Sequence, residues 1–298
     1  LAKKSKSKKL HKTRNRILIG VFTAFLLVIV FFCTKYLPTA ISLYNDATNK
    51  VNSISYSTFR GNQTTYLYDS NNNVINNLYG SKNSLYLNYP NIPQDAKNAF
   101  ISIEDKDYFK HGAFSIKANL RVLYSTIKNK GKITQGGSTI TQQLARNIFL
   151  NFDKTYKRKV EEIFISVKLD QKYTKEQILE FYINNINFAN NAYGIEAGSK
   201  RYFNKSCNEL DLSEICFLTA IPNDPTYYDP IKNINNTLKR RDLILSSMRE
   251  NEYITNDQYN KGINYKIVLT PEKYSGNVWI ESYAVDNSAK ILMKLKGF

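Results

Sequence analysis

The chain has 298 residues, 42% of them hydrophobic, which is enough to bury a core and excludes wholesale disorder. Its formal net charge is +17, a balance that first suggests a nucleic-acid partner. Eight cations and no acid lie in residues 1–16, so subtracting eight from seventeen leaves +9 spread along the rest, and the case for nucleic acid falls away.

Behind this basic tail, Ile17–Cys33 carries no charge, and extending the run to Leu37 gives about 20 residues, the length that crosses a hydrocarbon core. A cleaved signal peptide competes with a permanent anchor. The run is long for a signal peptide and no small-x-small cleavage pattern follows, so the anchor is preferred. Cations before the span and none clustered after it predict a cytoplasmic tail (1–16), a single span (17–37) and an outward-facing body. Residues 38–62, rich in Ser, Thr and Asn, read as a spacer.

A catalytic domain is expected over 63–265, opening with a hairpin: Thr65–Tyr68 and Val74-Ile75 flank the turn residues 69–73, with a further short strand at Leu85–Leu87. From Pro93 the spacing becomes helical. Stripes run through Ala96/Ala99/Phe100/Ile103, then Ile116/Leu120/Leu123/Tyr124/Ile127, then Ile140/Leu144/Ile148, then Val160/Ile163/Phe164/Val167. Thr174-x-x-Gln177 is a capping box, and a helix over Leu212–Ala220 must end before Pro222. The body is therefore mainly α. Cys207 and Cys216 could pair, and two histidines, His11 and His111, effectively exclude a histidine-built zinc site.

Three segments carry chemistry. Glu104 sits at the edge of a buried stripe, a half-desolvated setting that suits a proton acceptor, although an acid at a helix end is more often simply solvated. Gly136-Gly137 precedes Ser138, which reads as the cap of a helix whose free N–H groups favour an anion such as diphosphate. Gln142/Arg146 and Gln143/Asn147 are i,i+4 pairs that give this helix a polar face. Lys157-Arg158-Lys159 beside Glu161-Glu162 is either a surface salt bridge or a diphosphate clamp with a second carboxylate.

Taken together, these segments resemble the peptidoglycan glycosyltransferases (glycosyltransferase family 51) of class A penicillin-binding proteins and monofunctional enzymes. The resemblance runs from about Tyr66 to Met248. It rests on Glu104-Asp105-x-x-x-Phe109-x-His111, on Gly137-Ser138-Thr139-Ile140-Thr141-Gln142-Gln143-Leu144-Ala145-Arg146-Asn147, and on Arg158-Lys159-x-x-Glu162. Ile178–Asn184 with Tyr193–Ala197 and Tyr202-Phe203, and Leu218–Pro225 with Tyr228–Pro230, complete it. Ala113 and Ser115 stand where the family usually has Gly and Asp, and Ala189 and Gly198 where Gly and Ala are commoner.

The resemblance implies a lysozyme-like larger lobe and a small membrane-associated lobe, with Phe114 and the Ile116–Ile127 stripe, flanked by Lys128, Lys130 and Lys132, resting in the interface or else facing the core. It implies polymerisation of lipid II onto a lipid-linked glycan chain, with inversion and release of undecaprenyl diphosphate. Glu104 is the implied base and Glu162 orients substrate. Asp105, His111, Gly137, Ser138, Thr139, Gln142, Gln143, Arg146, Asn147, Arg158 and Lys159 are the implied substrate- and diphosphate-binding residues, with His111 read as a hydrogen-bonding residue rather than a second base. No cofactor is required, and a divalent cation (Mg or Mn) could help neutralise diphosphate. Implied partners are the plasma membrane and cell-wall synthesis or division proteins. A glycan-cleaving enzyme is disfavoured because it has no need of a diphosphate cradle; a silent lipid II-binding scaffold is a further alternative. Ser125-x-x-Lys128 matches a transpeptidase motif by chance, since Lys-Thr-Gly is absent. Residues 266–298, with Glu281–Asp286, resemble the lead into a transpeptidase domain, leaving a fragment of a bifunctional protein and a monofunctional enzyme both open.

Overall fold

In a computed structural model the chain is mainly helical, and the description covers residues 2–61, 63–68, 70–72, 74–78, 82–128, 136–150, 155–270, 287–288, 290–291 and 293–294. Helix α1 spans Ala2–Asn52 and carries Pro38 inside it. The tail, span and first part of the expected spacer are thus one helix, and its stretch from Leu18 is long and apolar enough to cross a membrane. The helix persists past Leu37 because Leu43, Ala47 and Val51, at successive i,i+4 positions, are buried. A short helix α2 (Tyr56–Arg60) follows.

Strands β1 (Thr65–Tyr68) and β2 (Val74–Leu78) pair antiparallel with a bulge between Leu67 and Tyr68. Asp69 and Asn73 of the expected turn lie outside the described residues. The third strand falls two residues before its expected place: β3 (Asn83–Ser84) runs parallel to β4 (Ala192–Tyr193). Leu85–Leu87 is not a strand. Instead, the Asn184 amide accepts from Leu87 N and donates to Leu87 O, both at 2.8 Å, doing with a side chain what a neighbouring strand would do.

The remaining helices are α3 (Gln94–Glu104), α4 (Ile116–Lys128), α5 (Ile140–Phe149), α6 (Tyr156–Lys172), α7 (Lys175–Asn185), α8 (Ile195–Phe203), α9 (Leu212–Ala220), α10 (Ile234–Glu250) and α11 (Asn256–Asn264). The capping box at Thr174 forms as the sequence predicts, with Gln177 N donating to Thr174 Oγ1 and Thr174 N to Gln177 Oε1. The core lies among α3, α5, α7, α9 and α10, where Phe100, Leu144, Phe181, Phe217 and Leu245 are fully buried, each worth about 2–3 kcal/mol of transfer free energy. Cys207 and Cys216 are buried free thiols, so the pairing left open by the sequence is not made; Cys216 instead packs its sulfur 3.5 Å from that of Met248.

Two faces bear on function. On α4, Ile116 (66%), Leu120 (59%) and Tyr124 (68%) are exposed beside Phe114, so this stripe does not face the core. The side chains of Leu123 and Ile127, with Lys130 and Lys132, lie outside the described residues. On the other side, α6 packs along α1. Lys50 pairs with Glu161 at 2.6 Å, Lys168 donates to Tyr44 Oη at 2.7 Å, and Lys172 Nζ donates to the Val51 and Ile54 carbonyls. At the C-terminal end, Thr270 donates from its backbone N to Tyr202 O and from Oγ1 to Phe203 O, and the Glu281–Asp286 segment lies outside the described residues.

Candidate active site

Glu104 is the last residue of α3 and its side chain is 13% exposed. Its Oε2 accepts from Gln143 Nε2 at 2.9 Å and its Oε1 from Arg240 Nη2 at 3.1 Å. Gln143 is oriented from behind, because the buried Tyr182 hydroxyl donates to its Oε1 at 3.0 Å and so turns the amide N–H toward the carboxylate. Burial, then the charge of Glu104, push the Tyr182 hydroxyl well above its usual range, so it stays protonated as a donor.

The next residue braces two elements. Asp105 Oδ2 accepts from Ile140 N at 3.1 Å, tying the end of α3 to the first turn of α5, while Oδ1 lies 2.7 Å from His111 Nε2. The other ring nitrogen lies 2.7 Å from Gly112 O, so both face acceptors and the doubly protonated ring satisfies both. The hydrogen bond to Asp105 therefore raises the His111 pKa, against the opposing effect of burial. This is the hydrogen-bonding part expected of His111, and the ring is not among the residues lining the groove described below.

The start of α5 differs from expectation. Its cap is Thr139, not Ser138. Thr139 Oγ1 accepts from Gln142 N and donates to Ala113 O at 2.6 Å, and Gln142 Oε1 accepts from Thr139 N at 2.9 Å. Gln142 is consequently 2% exposed and belongs to the cap, not to an open polar face. With Asp105 on Ile140 N and Thr139 on Gln142 N, side chains of the protein already take amides that the sequence suggests are free for diphosphate. Ser138, released from capping, accepts from Lys159 Nζ at 2.8 Å.

On α6, Glu162 is fully buried. Arg158 Nη1 donates to its Oε2 at 2.6 Å and Lys159 Nζ to its Oε1. The surface-salt-bridge alternative thus does not hold. A buried carboxylate fixes two cations, and it meets the groove through Arg158, while Lys159 reaches Ser138 on the groove wall.

These residues line a continuous groove. One end is formed by Lys117, Arg121, Asp105, Ser115 and Gly136–Thr139. The middle, a cavity of about 740 Å³, is walled by Glu104, Lys106, Arg121, Gln143, Arg146 and Arg240. The far end, about 710 Å³, is lined by Lys82, Arg146, Asn147, Arg158, Tyr193 and Asn223–Thr226. Cations outnumber acids along its length; Glu104 lies at its centre, with Glu250 on the same middle stretch and Asp105 and Asp107 at the first end. Among the described residues no group of three His, Cys, Asp or Glu stands close enough together to hold a metal ion.

A family model described as Transglycosylase matches residues 71–249. The chain belongs to the transglycosylase family. Transglycosylase relatives include penicillin-binding protein 4 of Bacillus subtilis (strain 168), 35% identical over 241 residues covering 79% of this chain and 38% of that protein. Penicillin-binding protein 1A of Clostridium tetani is 35% identical over 85% of this chain and 33% of its own length. Penicillin-binding protein 1F of B. subtilis is 36% identical over 90% and 35%. The chain therefore spans well under half of each of these relatives.

Arg240 carries no motif signal in the sequence. Its helix, α10, has a stripe of Ile244, Leu245 and Met248, all buried, that is legible as helical, and the polar residue one turn before it is Arg240. The pattern places that residue beside a core face, but only the tertiary contact of α10 with α3 brings it to Glu104.

Proposed function

We propose that this transglycosylase polymerises lipid II into glycan strands of peptidoglycan by inverting glycosyl transfer. The observation that carries the reading is a central carboxylate, Glu104, held in a cation-rich groove by donors on both oxygens. Glu104 takes the proton from the 4-hydroxyl of the acceptor sugar as that oxygen bonds to the donor's anomeric carbon. The bond from that carbon to the diphosphate breaks on the opposite face. Arg146 and Arg158 in the groove, with Lys159 and Arg158 fixed by buried Glu162, stabilise the charge that appears on the departing diphosphate. Since the amides at the start of α5 are largely engaged, these side-chain cations are the main anion-binding groups in this reading.

The reading also places the chain in the plasma membrane through α1, tail inward and groove outward, with Phe114, Ile116, Leu120 and Tyr124 dipping into the lipid interface near both lipid-tailed substrates. A divalent cation would enter with the diphosphate and is not assigned protein ligands.

The test is polymerisation of labelled lipid II by the purified chain in detergent. Wild type is expected to form glycan chains and Glu104→Gln to lose activity by at least about 100-fold, as for removal of a general base. Binding of lipid II without polymerisation by the wild-type protein would favour a silent scaffold instead.

A further inference from the structure

Of the two donors on Glu104, Arg240 is the charged one, and the transfer scheme above gives it no part beyond holding the carboxylate. Arg240 reaches it from α10, is itself only 13% exposed, and lies with its guanidinium carbon 5.3 Å from the centroid of Tyr228. Its helix is registered on α3 by Ser247 Oγ, which donates to Ser102 O at 2.8 Å, two residues before the carboxylate. One Nη2 donor meets Glu104, Nε is buried without a hydrogen-bond partner, and the residue walls the same stretch of groove as Arg121, Gln143 and Arg146. A guanidinium has five donors in a rigid fork, so one head can serve two anions at once.

The charge flow of the proposed reaction gives this placement a meaning. When the acceptor hydroxyl hands its proton to Glu104, the carboxylate loses its negative charge. When the carbon–oxygen bond to the leaving group breaks, a negative charge appears on diphosphate. A cation between the two is attracted to the base before the step and to the leaving group after it. Such a group binds the transition state better than either end state alone.

We propose that Arg240 is a positioning residue that holds Glu104 in its groove-facing orientation and joins the base to the departing diphosphate. This rests on the reading of Glu104 as the base. The groups facing Glu104 are Arg240 from α10, Gln143 and Arg146 from α5, and Tyr182 from α7, with Asp105 and Lys106 adjoining it on its own segment.

The experiment measures lipid II polymerisation across pH for the full chain in detergent, comparing wild type with Arg240→Gln, Arg240→Lys, Tyr228→Leu and Glu104→Gln, with thermal unfolding of each. Arg240→Gln is expected to lower kcat by about 100-fold with KM little changed, and to move the acid limb of the profile to higher pH. Arg240→Lys keeps the charge and is expected to leave the limb in place with a smaller loss. Tyr228→Leu, which removes only the ring beside the guanidinium, shifts the limb in the same direction by less, and it decides the matter should Arg240→Gln not fold. An unmoved acid limb in the folded variants, or equal losses for Lys and Gln that track unfolding temperature, overturns the proposal. Activity retained by Glu104→Gln instead sinks the base reading itself, so the two failures are separate.

Discussion

Ala189 stands at φ +62°, followed by Asn190 and Asn191 at +46° and +63°. Asparagine tolerates this left-handed region; an alanine does not, and its Cβ costs about 1–2 kcal/mol there. Ala189→Gly is therefore expected to raise stability by roughly 0.5–1 kcal/mol after the extra chain entropy of glycine is subtracted, seen as a higher unfolding temperature. The neighbouring swap runs the other way. A Cβ on Gly198 would sit 3.1 Å from the Phe188 ring, so Gly198→Ala costs stability alone and less when combined with Ala189→Gly, which frees the backbone next to Phe188. Gly194 has no such latitude, because at φ +85° its Cβ would lie 2.6 Å from Asn184 O. His111 gives a pH signature. Its folded pKa is raised above the usual 6.5, so its contribution to stability is fully present below about pH 6.5 and is lost as pH rises through the folded value. Unfolding temperatures of wild type and His111→Gln should differ most below about pH 6.5 and draw together as pH rises through the raised folded value.

At the scale of elements, the first turn of α5 is the joint between the chemistry and the loop before it. Thr139 caps the helix and holds Ala113 O, so Thr139→Ala is expected to cost about 1 kcal/mol and, by loosening the loop at 113, to raise KM more than it lowers kcat. Most of this machinery could be read from the sequence, since periodic apolar stripes give α3, α5 and α6, and the x-x-Gln spacing after Thr174 gives its cap. Two things could not be read. Ser138 and Thr139 are both good capping residues one position apart, and only the partner of Thr139 across the fold, Ala113 O, decides between them. Arg240 and Glu104 are 136 residues apart, and nothing local in either segment announces their contact. The extent of α1 was legible after all in Leu43, Ala47 and Val51, but a Ser-, Thr- and Asn-rich composition masked the spacing.

The molecule as a whole is organised around α6. Its outer face takes Lys50, Tyr44 and the carbonyls at the end of α1, and its inner face presents Arg158, Lys159 and Glu162. Glu161 and Glu162 are consecutive residues, one pairing with Lys50 of α1 and the other holding Lys159 and the groove's Arg158. Ala47 is fully buried in α1 where that helix packs on α6, so Ala47→Asp buries an unpaired charge at several kcal/mol. It is expected to open residues 38–52 to trypsin in the full chain, with loss of polymerisation. The unbroken helix also acts as a ruler. From Leu37, where the apolar run ends, to Lys50 is 13 residues, about 20 Å of helical rise, and Lys50 grips the turn of α6 that carries Glu162. In the proposed membrane setting a helix of that length sets the height of the groove above the lipid, and Pro38, which removes one backbone hydrogen bond where this segment leaves the span, is the point at which it bends. On the proposed reading, a thicker or thinner bilayer is then met first at Pro38, before it alters the angle at which the groove faces the lipid.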